Sequence, residues 1–502
     1  ITTGKYYWEI DNGGGGTYAQ YSGITGEFDQ GAGEIALQAN KSFLGSTIYK
    51  NYNTTSAPSL TNLEQGTISF ALDVDNRVLR GYYNNRLIYT DTTIPNASTT
   101  KYAPFTHSTN DGSGGSGWLD AFYNFGQRAF TFTPPEGYES LGSANISPTL
   151  VKVNKAKNHF DTLTYTGNGA DSGHHINGLQ FKPDFVWIKN RGQAYDHMLY
   201  DSIRGVGNYI ESSQIDAEAS GTHMDGFLSN GFSVGNGSGS NRTNFNSANY
   251  VAWCWKAGGA AVTNNNGSVT SQVSANKDAG FSIVTYTGSN DSTVTFGHGL
   301  NSAPEVIFIK RRDSTNGWRV YHHSVGLGKY LSLSNSNASN TSSQDFASVS
   351  ATTFGVKGGY GPVSINGGTY VAYCWHSVPG YSSFGSYTGN ATGGPNNIGG
   401  PFVYTGFKPA FVLLKGDNFA GNWNLFDSKR PGQNVVNDRL FPNLNSTELD
   451  GSDSGNQIDM VSNGFKLKGS NADTNNNNSN FTYMAFAEQI GETPFGTEPT
   501  TI

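Results

Sequence analysis

Apolar residues along this chain come in short bursts of four to eight, separated by Gly, Asn, Ser and Thr. Such bursts are strand-length, and no stretch repeats at helical spacing over a useful length. The first clear burst, Gly4-Lys5-Tyr6-Tyr7-Trp8-Glu9-Ile10, alternates with period two. Tyr6, Trp8 and Ile10 share one face, and Lys5, Tyr7 and Glu9 the other. Gly66–Asp73 predicts a second strand, Asp73–Arg77 its turn, Val78–Tyr83 the return, and Asn84-Asn85 a turn into Arg86–Tyr89. This is a meander of tight antiparallel hairpins. Phe122–Phe132 predicts the last strand of the first domain. Pro134 and Pro135 end it, because proline has no N–H for the ladder.

After residue 142 the pattern changes to one unit written three times. Each unit opens on an aromatic strand ending in Tyr-Thr-Gly, at Tyr165, Tyr286 and Tyr387. Each continues through a proline into an unbroken apolar strand ending in lysine: FKPDFVWIK to Lys189, APEVIFIK to Lys310 and FKPAFVLLK to Lys415. Runs of that kind fit strands buried on both faces. A short aromatic strand follows, HMLYDS, WRVYHH or WNLFDS, then a polar excursion and a strand at Phe232, Phe354 or Phe465. Each unit closes on a last strand: YVAWCW from Tyr250, YVAYCW from Tyr370 and YMAFAE from Tyr483. On this alignment the third unit has Ala487 and Glu488 where the others have Cys and Trp. The expected fold class is all-β, a sandwich followed by three tandem β-sandwich, jelly-roll-like repeats. The expected boundaries are 1–142 for the first sandwich, 143–159 a linker, 160–261 the first repeat, 262–279 a linker, 280–379 the second repeat, 380–490 the third and 491–502 a tail.

The 502 residues exceed one hydrophobic core, in keeping with several modules. The net charge of −7 argues against nucleic acid, which needs a basic face. No apolar run approaches the roughly 20 residues of a membrane helix, so no membrane insertion is expected. Cys254 and Cys374 sit at matching places in two units rather than opposite one another, and read as buried free thiols.

The order of GKYYWEI, Gly23-Ile24, GTISFALDVDNRVLRGYYNNRLIY and Tyr102–Phe105 resembles the SPRY/concanavalin-like sandwich. The phrase NFGQRAFTFTPPEGYESL, residues 124–141, resembles the end of SPRY-like domains in structural proteins of marine tailed phages, including cyanophages. One departure is Ala129, where that pattern has proline after the arginine. The resemblance implies a non-enzymatic virion protein, made in the bacterial cytoplasm and built into the particle. It implies a tail fibre or similar appendage, four modules in a row forming an extended arm. The implied partners are other virion proteins and a host-surface glycan or receptor, and the implied assembly is a homotrimer. A capsid fibre or decoration protein, a polysaccharide depolymerase and a cell-made adhesin or filament subunit are the rival expectations.

Candidate chemistry is sparse. Adjacent histidines on a strand face opposite ways, so His174-His175 and His322-His323 do not read as chelating pairs. No metal or cofactor is expected. Asp201/Arg204 and Asp427/Arg430 read as carboxylate–guanidinium pairs pinning loops. No nucleophile elbow or phosphate loop is present. Asp73-Val74-Asp75-Asn76 reads as a hairpin turn rather than a calcium loop. The expected ligand contacts are aromatics beside Gly and Asn, the residue types that stack on sugar rings: Trp118, Tyr195, Trp318 and Trp423.

Overall fold

In a computed structural model the chain divides into two compact units, Ile1–Pro148 with Glu492–Ile502, and Thr149–Gly491. The structure describes residues 5–12, 19–25, 35–40, 47–50, 53–56, 67–92, 103–109, 121–124, 130–140, 156–237, 242–342, 345–392, 399–430, 434–449 and 457–488. Among these the protein is all-β, its named strands paired antiparallel except for Glu139–Ser140, which runs parallel to Lys5–Asn12, and no helix is long and apolar enough to cross a membrane.

Among the described residues the first unit has two sheets. One orders Ala121–Asn124, Lys5–Asn12, Thr67–Asp73, Val78–Tyr83 and Arg86–Asp91; the other orders Asn53–Ser56, Thr47–Lys50, Ile35–Asn40, Ala19–Thr25 and Ala103–Thr109. The opening strand is buried on both faces, Glu9 included. The Glu9 carboxylate accepts the backbone N–H groups of Thr131 and Phe132 at 2.8 and 2.9 Å. Those residues are therefore drawn to a side chain and do not extend the strand, which ends at Asn124 rather than Phe132. Asp73 accepts both the backbone and side-chain N–H of Asn76, closing the hairpin turn.

In the second unit one strand order occurs three times. An opening strand (Phe160–Thr166, Phe281–Thr287, Ser382–Thr388) pairs with a closing strand (Asn249–Trp255, Thr369–Trp375, Asn480–Ala487). The closing strand pairs with the unbroken apolar strand (Phe185–Asn190, Val306–Arg311, Pro409–Gly416). That strand pairs with the short aromatic one (Met198–Asp201, Arg319–His322, Asn424–Asp427). A three-stranded sheet accompanies each, beginning at His174–Asn177, Val294–Gly297 and Phe402–Tyr404.

Register corrects one alignment. Tyr165 pairs with Tyr250, Tyr286 with Tyr370, and Tyr387 with Phe481. Phe486, not Glu488, therefore stands where Trp255 and Trp375 stand, and Ala485 replaces the cysteines. The segment 262–279 is also more than a linker. Val262–Asn264 and Ser271–Asn276 add two strands to the second module's sheet, joined by residues 265–270, with Val273 buried opposite Val284.

Alternate residues of the closing strands enter different cores. Tyr250, Ala252 and Cys254 face a core internal to the first module, and Tyr370, Ala372 and Cys374 one internal to the second. Val251, Trp253 and Trp255, with Val371, Tyr373 and Trp375, face a core that also holds Phe411, Met484 and Phe486 of the third. Here Trp255 lies 6.5 Å from Trp375 and 5.6 Å from Phe486, centroid to centroid. Both free cysteines are buried, and burial pushes their thiols up.

The three modules do not stand in a row; each touches both others. Glu218 N–H donates to Arg312 of the second module, Ser339 N–H to Asp417 of the third, and Glu448 N–H to Arg191 of the first, at 2.7–2.8 Å. The modules thus close a ring with three seams of one design. Two seams are reinforced by a buried Asp–Arg pair. Arg204 holds Asp201 and Glu218, and Tyr373 donates to Asp201 at 2.8 Å. Arg430 holds Asp427 and Glu448 at 2.7 Å, and Trp253 donates to Asp427 at 3.0 Å. At the seam of the second and third modules His322 and Val325 occupy those positions, and His322 donates to the Tyr483 carbonyl at 3.2 Å.

A shared core makes the ring one cooperative body. Trp255→Ala should cost about 3–5 kcal/mol, and urea unfolding of residues 149–491 should stay a single transition. Residues 156–261 expressed alone should lack dispersed amide NMR signals; a well-dispersed spectrum would show that the first module does not need the common core.

Candidate functional site

The site begins at the lysine that ends each unbroken apolar strand. Lys189, Lys310 and Lys415 are fully buried. Each ammonium donates to backbone carbonyls, one of them across a seam: Asn445 from Lys189 at 3.3 Å, Ile215 from Lys310 at 3.0 Å and Ser336 from Lys415 at 3.4 Å. Burial lowers all three to about 8. For Lys189 the charges of Asp196 and Glu448 pull partly back. Three hydrogen-bonded ammonium groups thus fix three loops against neighbouring modules.

Two residues after Lys189, at the seam of the first and third modules, Arg191 lines an open groove of about 440 Å³. Arg191 forms its floor, donating to both oxygens of Glu448 at 2.6–3.0 Å, with Asp438 at 3.6 Å. Asn190 shapes the next turn by accepting the N–H groups of Gly192 and Gln193. The opposite wall is Phe245–Asn249. It is held by the Tyr250 hydroxyl, which accepts the Phe245 N–H at 2.8 Å, and it turns at Ser247 with φ of +60°. Gly367 and Asn478 take left-handed backbone at the matching places in the other modules, with φ of +77° and +53°. Phe245, Asn246 and Asn249 are exposed. The groove therefore offers an aromatic ring, side-chain amides and an internally neutralised Arg–Glu pair. It suits a neutral ligand rich in hydroxyl groups better than an ion.

The equivalent groove walls differ in chemistry. The seam of the first and second modules repeats the ion pair, Arg312 to Glu218 at 2.7 Å, but places Ile365 where Phe245 stands. The seam of the second and third has Asp417 and Ser339 in place of arginine and glutamate. A wider cleft of about 830 Å³ opens beside the start of the second module; Lys182, Lys256, Lys277 and Asp278 line it, with no Phe, Tyr or Trp among the described residues.

The aromatics expected to contact ligand are not brought together. Trp318 and Trp423 are 0% and 3% exposed. Their indole N–H groups donate across seams to the carbonyls of Glu211 and Ser332 at 2.9 and 2.8 Å. They are packing residues of the ring, and His197, also buried and stacked on Trp253, holds the corresponding place in the first module. Tyr195 is half-buried; its N–H donates to Gln193, at the groove's edge. Trp118 lies outside the described residues. Phe245 was missed because one Phe in an Asn/Ser-rich excursion carries no periodic signal.

The His174 ring meets Asn244 at 2.7 Å, and His323 meets the Phe384 carbonyl at 3.1 Å. Among the described residues no three His, Cys, Asp or Glu side chains cluster to hold a metal ion.

A family model, described as a domain of unknown function (DUF7483), matches residues 155–490. The chain belongs to the DUF7483 family. The match begins and ends within the unit that forms the ring, so the DUF7483 domain is the whole three-module body rather than one module. No curated protein matches the chain.

The buried lysines give the DUF7483 ring a pH signature. Lys189 titrates near 8 when folded and near 10.5 when unfolded. Between those values the unfolded state binds more protons, so this group's contribution rises with pH. Stability measured from pH 8 to 10.5 should shift toward wild type relative to Lys189→Met by on the order of 1–3 kcal/mol. A pH-independent difference would mean that Lys189 is not buried as a charge.

Proposed function

We propose that this DUF7483 protein is a non-enzymatic structural component of a tailed-phage virion, a tail-fibre or appendage protein that contacts glycans on the host surface. The observation that carries the reading is the groove at the seam of the first and third modules. There Phe245 offers an apolar face, and Gln193, Asn246 and Asn249 surround it with amide donors and acceptors. Sugars present the complementary combination of apolar C–H faces and hydroxyl groups. Glu448, the carboxylate that lines the groove, is engaged by Arg191, which supports binding over hydrolysis. The resemblance of residues 124–141 to phage SPRY-like domains supplies the virion setting.

A rigid ring holding variable loops suits recognition, since loop changes leave the cores untouched. Binding at one groove would be weak and would gain strength from many copies on a particle. A homotrimer is the assembly implied by the phage resemblance. The ring's own seams need no second chain to complete them.

Two measurements test the reading. Antibody to residues 160–490, carried on gold, should label the ends of tail appendages on intact particles. Labelling of the head would make the protein a decoration, and labelling of cell-made filaments without particles would end the phage reading. Phe245→Ala should weaken binding to host envelope glycans by about tenfold, the loss of roughly 1.4 kcal/mol of contact, with thermal stability unchanged. Equal binding by the variant would remove the groove from the site.

A further inference from the structure

The three small sheets each begin with an edge strand, and those edges are treated differently. In the second module the edge strand Val294–Gly297 is covered by residues 267–271 of the preceding hairpin. Val269 bridges Phe296 in parallel. The Val269 N–H donates to Thr295 O at 3.2 Å, Thr295 N–H donates to the Ser268 hydroxyl at 3.0 Å, and the Ser271 hydroxyl donates to Gly297 O at 2.8 Å. The approach is close enough that a Cβ on Gly267 would lie 2.2 Å from Thr295 O. The outward N–H and C=O groups of this edge are thus met by an extended Gly-Ser-Val segment.

The third module has the same edge, and among the described residues no such segment covers it. Register places Phe402 at the position of Thr295 and Tyr404 at that of Gly297, since Val403 pairs with Phe465 as Phe296 pairs with Phe354. Leu467 N–H donates to Pro401 O and Thr405 N–H to Asn463 O, so the ladder uses residues 401, 403 and 405. The peptide groups of Phe402 and Tyr404 face away from the sheet, and among the described residues they have no partner. The two residues are 44% and 58% exposed. The first module's matching residues are His175 and Asn177, polar groups of the kind that discourage strand addition. The third module presents two aromatics instead.

We infer that the edge Phe402–Tyr404 is a docking site for an extended segment of another polypeptide. The segment adds in parallel, as residues 267–271 do in the second module, with small residues against the backbone and a β-branched side chain beside the two rings. This is recognition by strand addition, in which main-chain hydrogen bonds give affinity and side-chain contacts give selectivity. The internal example sets both direction and chemistry: a Gly allows the close approach, a Ser hydroxyl reaches the outward N–H, and an N–H two residues after the Gly reaches the outward carbonyl. The site lies on the outer sheet and is independent of the glycan groove.

Hydrogen exchange of the full chain, read by NMR or mass spectrometry at residues 402–404, tests this. The probe is a synthetic peptide with the sequence Asn266–Ser271. At millimolar concentration it should slow exchange at Phe402 and Tyr404 by roughly threefold or more, as a weak strand-addition complex would. The same peptide with Pro in place of Val269 lacks the donating N–H and should give no protection. The Tyr404→Asp chain should lose protection by the parent peptide while keeping its thermal stability. Equal protection by both peptides, or none by either, would overturn the proposal. Protection that rises with protein concentration in the absence of peptide would also overturn it, assigning the edge to a second copy of the chain.

Discussion

The closing strands of the first two modules bury side chains on both faces, and only one of the two cores each serves belongs to its own module. Cys254 looks inward to the first module's sandwich, while Trp253 and Trp255 look outward to rings supplied by the other two. A module without its neighbours would expose Trp253, Trp255 and Phe185 to water, an unfavourable term of roughly 1.5–3 kcal/mol for each large side chain. The seams, the buried lysines and the groove all follow from that arrangement. The loops that carry Glu218, Ser339 and Glu448 can bond to the next module only because the common core brings them there.

Burial of charge at the seams is handled by pairing rather than avoidance. Arg204 and Arg430 are fully enclosed with Asp201 and Asp427, and each also reaches a glutamate. Removing one partner from such a group leaves an uncompensated charge, which is why these clusters fix geometry more than they add net stability. The lysines are the opposite case. With carbonyls as their hydrogen-bond acceptors, they stay hydrogen-bonded yet titrate low, and their positions at the ends of three matching strands bring the seams into register.

Much of the fold was legible in the chain. Strand positions, the all-β class, the meander of the first unit and the threefold recurrence of one strand pattern could be read from apolar spacing and from Tyr-Thr-Gly, proline and lysine punctuation. The closing strand of the third module was misaligned by two residues, and period-two patterns hide that error. A shift of two keeps every side chain on its correct face, so Tyr483 looked like Tyr250 although Phe481 holds that place. The ring was the larger omission. Trp318 and Trp423 stand beside Gly and Asn as a surface ligand contact would, and only the fold shows them capped by a neighbouring module's carbonyl. A clue was present: unbroken apolar strands need cover on both sides, and each module's small sheet supplies only one. The groove was not legible, because residues 191–193, 245–249 and Glu448 come together only in the fold and Phe245 sits in a polar loop.

The seams share one design but not one set of residues. In an assembly of three identical chains, a substitution at a seam is repeated at every seam, and a change that helps one position is imposed on the other two. Here the copies are written separately along one chain. The arginine–glutamate pair can be kept at two junctions and replaced by Asp417 and Ser339 at the third. Phe245 can be offered at one groove and Ile365 at the next. Covalent linkage of the three copies frees each face to drift on its own, so a single molecule can present three different surfaces from one architecture.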